Sequence, residues 1–287
     1  MNLLYGLVYI ILAPVIGGIA IGLDRKVTAR MQGRVGPPVL QPFYDVLKLF
    51  EKESAVVTRS QNFFVFAYLI FMALTGFLFF SGGDLLLVIF AMTLSEIFLV
   101  LGAYSVNSPY SFIGAERELV QIMAFEPVIL LSAAGMYLAT GSFYVGSIAR
   151  SSNPLILLLP GLFIALLCVL TLKLRKSPFD LSTSHHAHQE LVKGVTTEFS
   201  GSTLGSIEIA HWYETVMLLG FVYLFFGFSP LLAVAAVMLT YLLEIFIDNT
   251  FPRFKLDLAL KSSWAVTLIL GMANMLVLWF YVKGGLL

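Results

Sequence analysis

Cysteine is nearly absent. One residue, Cys168, stands in 287 and lies inside an apolar run. A single thiol cannot close an intrachain disulfide, complete a four-cysteine iron–sulfur site or build a cysteine-rich zinc site. Any redox metal must therefore belong to another chain. Charge is scarce too, at 12% of residues against roughly 25% in an average soluble domain. The 17 basic and 17 acidic side chains cancel, so nothing points to nucleic acid as a partner. No internal repeat is visible, which removes the inverted-repeat logic of many secondary transporters. The start, Met1-Asn2-Leu3-Leu4, lacks a basic stretch before its apolar run. It is expected to be a first membrane span and not a cleaved signal.

Apolar length is abundant. Hydrophobic residues make up 59% of the chain, more than a soluble core of this size can hide. A helix needs about 20 mainly apolar residues to cross the hydrocarbon layer. Eight stretches qualify: 3–23, 63–81, 85–106, 119–140, 155–172, 212–228, 231–247 and 264–282. The expected fold is an all-α integral membrane protein, a single polytopic domain over 1–287 with eight transmembrane helices. Placing the N-terminus outside gives cytoplasmic segments 24–62, 107–118, 173–211 and 248–263, which hold 15 of the 17 Lys and Arg residues. Only Arg150 and Lys283 fall elsewhere. The positive-inside rule therefore predicts this orientation.

Within the first cytoplasmic segment, Phe43, Val46, Leu47 and Phe50 follow helical spacing, with Asp45, Lys48 and Lys52 on other faces. This predicts an amphipathic helix too short to span, suited to the membrane surface or a partner's flank. A plain surface helix is the alternative.

Glu96, Glu126, Glu214 and Glu244 fall inside predicted spans. Four ionised acids at the bilayer centre would cost on the order of 10–14 kcal/mol even on a lenient scale. They must be protonated, paired or hydrated, and such acids are candidates for carrying protons. Glu214 and Glu244 have a blander reading, as acids near helix ends reaching for headgroups. Glu126 precedes Pro127, which removes a backbone donor and suggests a hydrated site at a broken turn. Glu116, Arg117 and Glu118 would stand at the cytoplasmic mouth, and a path inward could run Glu118, Gln121, Glu126. Alternatively Glu116 and Glu118 are a solvated helix start with Arg117 as counter-ion.

Within the 173–211 segment, three of the four histidines, His185, His186 and His188, fall within four residues. A histidine-rich tract suits metal or proton handling. His185 and His188 could share a helix face, but His186 would point away, so a metal site is weakly supported. A pH-responsive relay, a partner contact and a hydrogen-bonded structural loop stay open.

Particular residues go further than composition. Arg34-Val35-Gly36-Pro37-Pro38, with Leu40-Gln41-Pro42-Phe43-Tyr44-Asp45-Val46-Leu47-Lys48-Leu49, resembles the first-loop motif of the complex I subunit 1 family. Arg175-Lys176-Ser177-Pro178-Phe179-Asp180, with Glu190-Leu191-Val192 and the run from Gly194 to Gly201, resembles its second motif. After the Pro-Phe-Asp turn, respiratory members carry a glutamate-rich stretch. Here the chain reads Ser182-Thr183-Ser184-His185-His186-Ala187-His188-Gln189-Glu190. That stretch, and Glu116 through Pro127, are more similar to the hydrogenase branch, the membrane subunit of energy-converting [NiFe] hydrogenases of the Ech type, with formate hydrogenlyase a close relative.

The resemblance implies a subunit of a prokaryotic cell membrane complex that joins a soluble redox arm to a membrane arm. Its reaction would be ferredoxin oxidation coupled to H2 evolution and to proton or sodium movement. The chain itself would carry no catalytic residue, metal or redox centre. A [NiFe] centre and [4Fe–4S] clusters would sit in partners: a hydrogenase large subunit, a small iron–sulfur subunit and a ferredoxin-like subunit, beside an antiporter-like membrane subunit. Arg34, Pro37, Pro38, Asp45 and Lys48 would dock partners. Asp180, His185, His186 and His188 would form a coupling loop. Glu96, Glu116, Glu118, Glu126, Glu190, Glu198, Glu214 and Glu244 would carry protons or couple the loop to them. The equivalent subunit of formate hydrogenlyase, or of a quinone-reducing complex I-like dehydrogenase, is the alternative.

Overall fold

The computed structural model describes residues 2–53, 58–176, 194–252 and 254–283. The described residues form helices α1 (Leu3–Met31), α2 (Gln41–Glu51), α3 (Arg59–Phe80), α4 (Leu85–Tyr104), α5 (Pro109–Thr140), α6 (Val145–Ile148), α7 (Leu155–Leu158) and α8 (Pro160–Lys173). A 3₁₀ turn, Gly194–Thr196, precedes α9 (Gly201–Leu224), α10 (Pro230–Thr250), α11 (Leu256–Val266) and α12 (Ala273–Lys283). A π-helical turn at Thr267–Met272 joins α11 to α12. No named strand occurs among the described residues.

Six helices are long and apolar enough to cross a membrane: α1, α3, α4, α5, α10 and the continuous stretch Asp257–Lys283. Their outward faces are covered in Leu, Ile, Val and Phe, the pattern of a lipid-facing bundle. Two of the eight expected spans are less regular. The chain over 155–172 breaks at Pro160 into α7 and the 14-residue α8. Helix α9 has 24 residues but carries Glu208, His211 and Glu214.

Pro160 cannot donate a backbone hydrogen bond and disturbs the preceding turn. Asn274 on α12 repairs the break from across the bundle. Its Oδ1 accepts from the Leu162 N–H at 3.1 Å, and its Nδ2 donates to the Leu158 carbonyl at 3.0 Å. Both groups would otherwise be left open inside an apolar medium, where an unmet backbone group is costly.

Pro127 acts differently from expectation. Helix α5 runs 32 residues straight through it, so there is no broken turn. Ser263 on α11 donates to the Ala124 carbonyl in the turn that Pro127 loosens. Helix α5 also begins ten residues before the expected span, so Glu116 and Glu118 lie on a helix already under way.

Local chemistry sets the other ends. In the turn between α3 and α4, Gly82 takes φ +78°, a left-handed conformation that costs glycine little. Asp84 then caps α4 by accepting from the Leu86 N–H at 2.8 Å and the Leu87 N–H at 3.3 Å, meeting donors a helix start leaves open. An antiparallel bridge from Asp84 to Tyr144 ties this turn to the start of α6.

Helices α1 and α9 are joined by a reciprocal pair. The Tyr9 hydroxyl donates to the Tyr213 carbonyl at 2.8 Å, and the Tyr213 hydroxyl donates to the Ile10 carbonyl at 2.7 Å. Helix α2 leans on the same seam. Phe43 meets Trp212 edge-on at 5.1 Å, and a Cβ on Gly18 of α1 would stand 2.5 Å from the Phe43 ring. Pro42 and Val46 of α2 are buried, while Leu47 and Phe50 are exposed.

Candidate functional site

The site is built where α8 ends. Lys173 is the last residue of α8, and its long stem carries the ammonium inward. The Nζ contacts Glu96 of α4 and lies 2.7 Å from Glu214 Oε1 of α9. It also stands 4.1 Å from the centre of the Phe125 ring on α5, close enough for a cation–π attraction. All three charged side chains are buried. An isolated charge there would be very costly, and pairing is what makes burial tolerable.

Two further cations follow immediately. Arg175 Nη2 donates to Glu118 Oε1 of α5 at 3.2 Å. Lys176 pairs with Asp24 of α1 and lies 3.5 Å from Asp248 of α10. Arg175 adopts φ +55°, rare for a residue with a side chain, which lets the backbone turn so that consecutive cations reach different helices. Lys173, Arg175 and Lys176 together tie the C-terminal end of α8 to α1, α4, α5, α9 and α10.

Between the first two ion pairs is a small cavity lined by Glu118, Gln121, Phe125, Lys173, Arg175 and Glu214, with room for about one water molecule. Glu118 and Gln121 thus share a space with Glu214 and Lys173. Glu126, expected to follow them, does not line that cavity. It is half-buried and accepts from the Thr93 hydroxyl at 3.1 Å.

Glu214 and Glu244 do not reach for headgroups. Glu214 is 5% exposed and Glu244 is fully enclosed at 0%. Neither carboxylate oxygen of Glu244 has a hydrogen-bond partner among the described residues. Glu116 is exposed and accepts from the Tyr104 hydroxyl at 2.9 Å. Glu118 is paired with Arg175, where the sequence offered Arg117. Glu198 is half-buried, and its main-chain carbonyl accepts from Gln61 Nε2 at 3.0 Å. Asp180, His185, His186, His188 and Glu190 lie outside the described residues.

The docking residues are gathered on the segment between α1 and α2 and on α2 itself. Arg34 is exposed and bonds Gln32. Pro38 and Lys48 are exposed, and Pro37 is half-buried. Asp45 accepts from Gln41 at 2.8 Å and pairs with Arg25 at 2.8 Å. Partial burial of Asp45 pushes its carboxyl up, but the Gln41 hydrogen bond and Arg25 outweigh this and hold it below the usual range.

Sequence reasoning missed Lys173 as the partner of Glu96 and Glu214, Arg175 as that of Glu118, and the pair Lys176–Asp24. The signal was present: four acids in spans demand counter-charges, and Lys173-Leu174-Arg175-Lys176 ends an apolar run. His211 was also missed. It packs edge-on to Tyr68 at 6.0 Å, and its buried Nε2 has no hydrogen-bond partner among the described residues.

A family model described as NADH dehydrogenase matches residues 4–279. The chain belongs to that family. The NADH-quinone oxidoreductase H subunit of Bacillus cytotoxicus is 31% identical over 306 residues, covering 94% of this chain and 91% of its own. Hydrogenase-4 component C of Escherichia coli K12 is 28% identical over 299 residues, covering 92% and 91%. A chain from the membrane-bound sulfane sulfur reductase, an archaeal respiratory membrane complex, superposes with a TM-score of 0.84. It is 28% identical, with 97% of this chain and all of that chain covered. The family, the apolar helices and these relatives make the protein a multi-pass membrane subunit of a complex I-like respiratory complex.

Proposed function

We propose that this chain is the membrane subunit of a ferredoxin-dependent energy-converting [NiFe] hydrogenase, of the Ech type. In this reading it docks the soluble redox arm and couples electron transfer and H2 evolution to proton or sodium translocation. The observation that carries the coupling role is Lys173, seated between Glu96 and Glu214 at the C-terminal end of α8. The hydrogenase branch is supported by likeness to hydrogenase-4 component C and by the histidine-containing stretch in place of a glutamate-rich one. The [NiFe] centre and [4Fe–4S] clusters are assigned to partners: a large subunit, a small iron–sulfur subunit and a ferredoxin-like subunit. An antiporter-like partner receives the coupling in the membrane.

The topology proposed with it has eight spans in one polytopic domain. Helices α7 and α8 together cover 155–173, about 28 Å at 1.5 Å per residue, and α9 about 36 Å. Both are long enough to complete the set. The N-terminus is outside and the basic loops are cytoplasmic. The exposed Leu47 and Phe50 of α2 lie at the membrane surface.

A lysine between two carboxylates gives the trio a net charge of −1 when both are ionised and 0 when one is protonated. The trio therefore exchanges one proton while the ammonium keeps an ionised carboxylate as its partner in both states. Redox change in the soluble arm displaces Arg175 and Lys176. These two cations carry the movement to Glu118, Asp24 and Asp248. Lys173 then rebalances between Glu96 and Glu214, and the small cavity passes the proton between Glu118 and Glu214. Coupling of this kind needs an element with two states biased from both ends, and Lys173 with its two acids supplies it. Glu126 and Glu244 continue the path laterally, and Glu116, Glu190 and Glu198 serve the loop.

The quinone reading rests on likeness to the NADH-quinone oxidoreductase relative. Purification in mild detergent separates the two readings. A [NiFe] large subunit and ferredoxin-dependent H2 evolution support the hydrogenase. Inhibition by quinone analogues, with no [NiFe] partner present, supports quinone reduction instead.

A further inference from the structure

At the end of the bundle opposite the basic loops is a cavity of about 640 Å³, within the range of roughly 300–1,000 Å³ seen for small-molecule sites. Its inner wall is aromatic and comes from the ends of three long helices: Tyr5 of α1, Phe79 and Phe80 of α3, and Tyr223 of α9. Its rim is the α6 segment, with Tyr144, Ser147 and Arg150. Tyr5 and Tyr144 are exposed, so the cavity opens at the surface of the bundle. Tyrosines cluster at the level of lipid headgroups.

Arg150 is the one cation of the 141–154 segment, which contains no acid. It makes no ion pair among the described residues. Asp84, the acid bridged to Tyr144, is engaged as the cap of α4 and does not line the cavity. A guanidinium at headgroup depth beside an apolar slot is complementary to a molecule with a phosphate at one end and a hydrocarbon chain at the other. The planar fork suits phosphate oxygens, and an apolar slot that opens to the bilayer is filled by hydrocarbon at little cost.

We propose that this cavity binds one anionic phospholipid, with its phosphate held at Arg150 and one acyl chain laid against Tyr5, Phe79, Phe80 and Tyr223. The lipid would fill the seam where α1, α3 and α9 end, on the side of the membrane away from the redox arm.

The complex, purified in mild detergent and placed in nanodiscs of phosphatidylcholine with phosphatidylglycerol, can be analysed by native mass spectrometry of the released chain. The expected result is one retained phosphatidylglycerol. Arg150→Gln should weaken that retention about tenfold, by loss of a charge-assisted contact, and Arg150→Lys should restore much of it. Gly146→Leu places its branch in the cavity, since a Cβ there meets Gly82 only at 3.5 Å. It should lower retention of every lipid. Equal retention of phosphatidylcholine and phosphatidylglycerol, or retention unchanged by Arg150→Gln and Gly146→Leu, overturns the proposal. So does a partner protein cross-linking through a photoreactive residue at Ser147 in place of lipid. A thermal melt of each variant matching the parent separates loss of binding from loss of fold.

Discussion

Lys173 Nζ lies 2.7 Å from Glu214 Oε1, and the same ammonium also contacts Glu96. The three side chains come from α8, α9 and α4, so a single cation answers two acids that the sequence places 118 residues apart. Removing it leaves two buried carboxylates facing each other. Lys173→Met should cost about 3–5 kcal/mol, the usual result of breaking a buried pair from one side. The triple variant Lys173→Met, Glu96→Gln, Glu214→Gln should recover most of that stability without recovering ion translocation. Detergent-solubilised melting curves and vesicle acidification assays read the two effects separately. Full translocation in the triple variant would remove Lys173 and its acids from the coupling path.

Glu214→Gln and Glu126→Gln are expected to uncouple the complex, leaving electron transfer running while ion movement falls. The two differ in their surroundings. Glu126 is held by the Thr93 hydroxyl, so Thr93→Val should partly reproduce the Glu126→Gln defect and leave Glu214 untouched. The ratio of ions moved to H2 evolved in inverted vesicles is the measurement. An unchanged ratio in Glu126→Gln would end that residue's proposed role.

Asn274 should matter for stability alone. Asn274→Leu strips the Leu162 N–H and Leu158 carbonyl of their partner at the Pro160 break. Leaving buried polar groups unmet costs about 1–3 kcal/mol. The melting temperature should fall while the ion-to-electron ratio of the surviving complex holds.

Asp45 gives a pH dependence with a definite sign. Its carboxyl is held below the usual range, so its folded form binds protons less readily than the unfolded chain. The resulting stability is present above the unfolded value, about 3.9, and is lost as pH falls through the lower folded value. The Arg25–Asp45 pair is about two-fifths exposed, so screening keeps the effect below about 1 kcal/mol. Arg25→Gln should move the Asp45 carboxyl back toward its ordinary value, read by carbon-13 NMR of labelled aspartate. No movement would mean that Gln41 and Lys48 hold it without Arg25.

Much of the molecule was legible from one dimension. Long apolar runs are a property of composition, and the bilayer forces each into a helix, so α1, α3, α4 and α10 fall close to their expected places. Breaks were harder to read. Pro160 and Pro127 both interrupt apolar runs, but one ends a helix and the other does not. The local sequence does not show how each is accommodated: Asn274, 114 residues beyond Pro160, bonds both sides of that break, and Ser263, 136 beyond Pro127, bonds the Ala124 carbonyl.

The sequence by itself determined that this is a membrane protein with costly acids in its spans and basic loops bearing family motifs, since these follow from hydropathy, charge position and residue identity. Only the tertiary structure decided which cation meets which acid. Glu118 takes Arg175 instead of its neighbour Arg117, and Glu96 and Glu214 share Lys173. Ion pairing falls off steeply with distance in space and has no relation to distance along the chain, so the partners become visible only once α4, α5, α8 and α9 are packed.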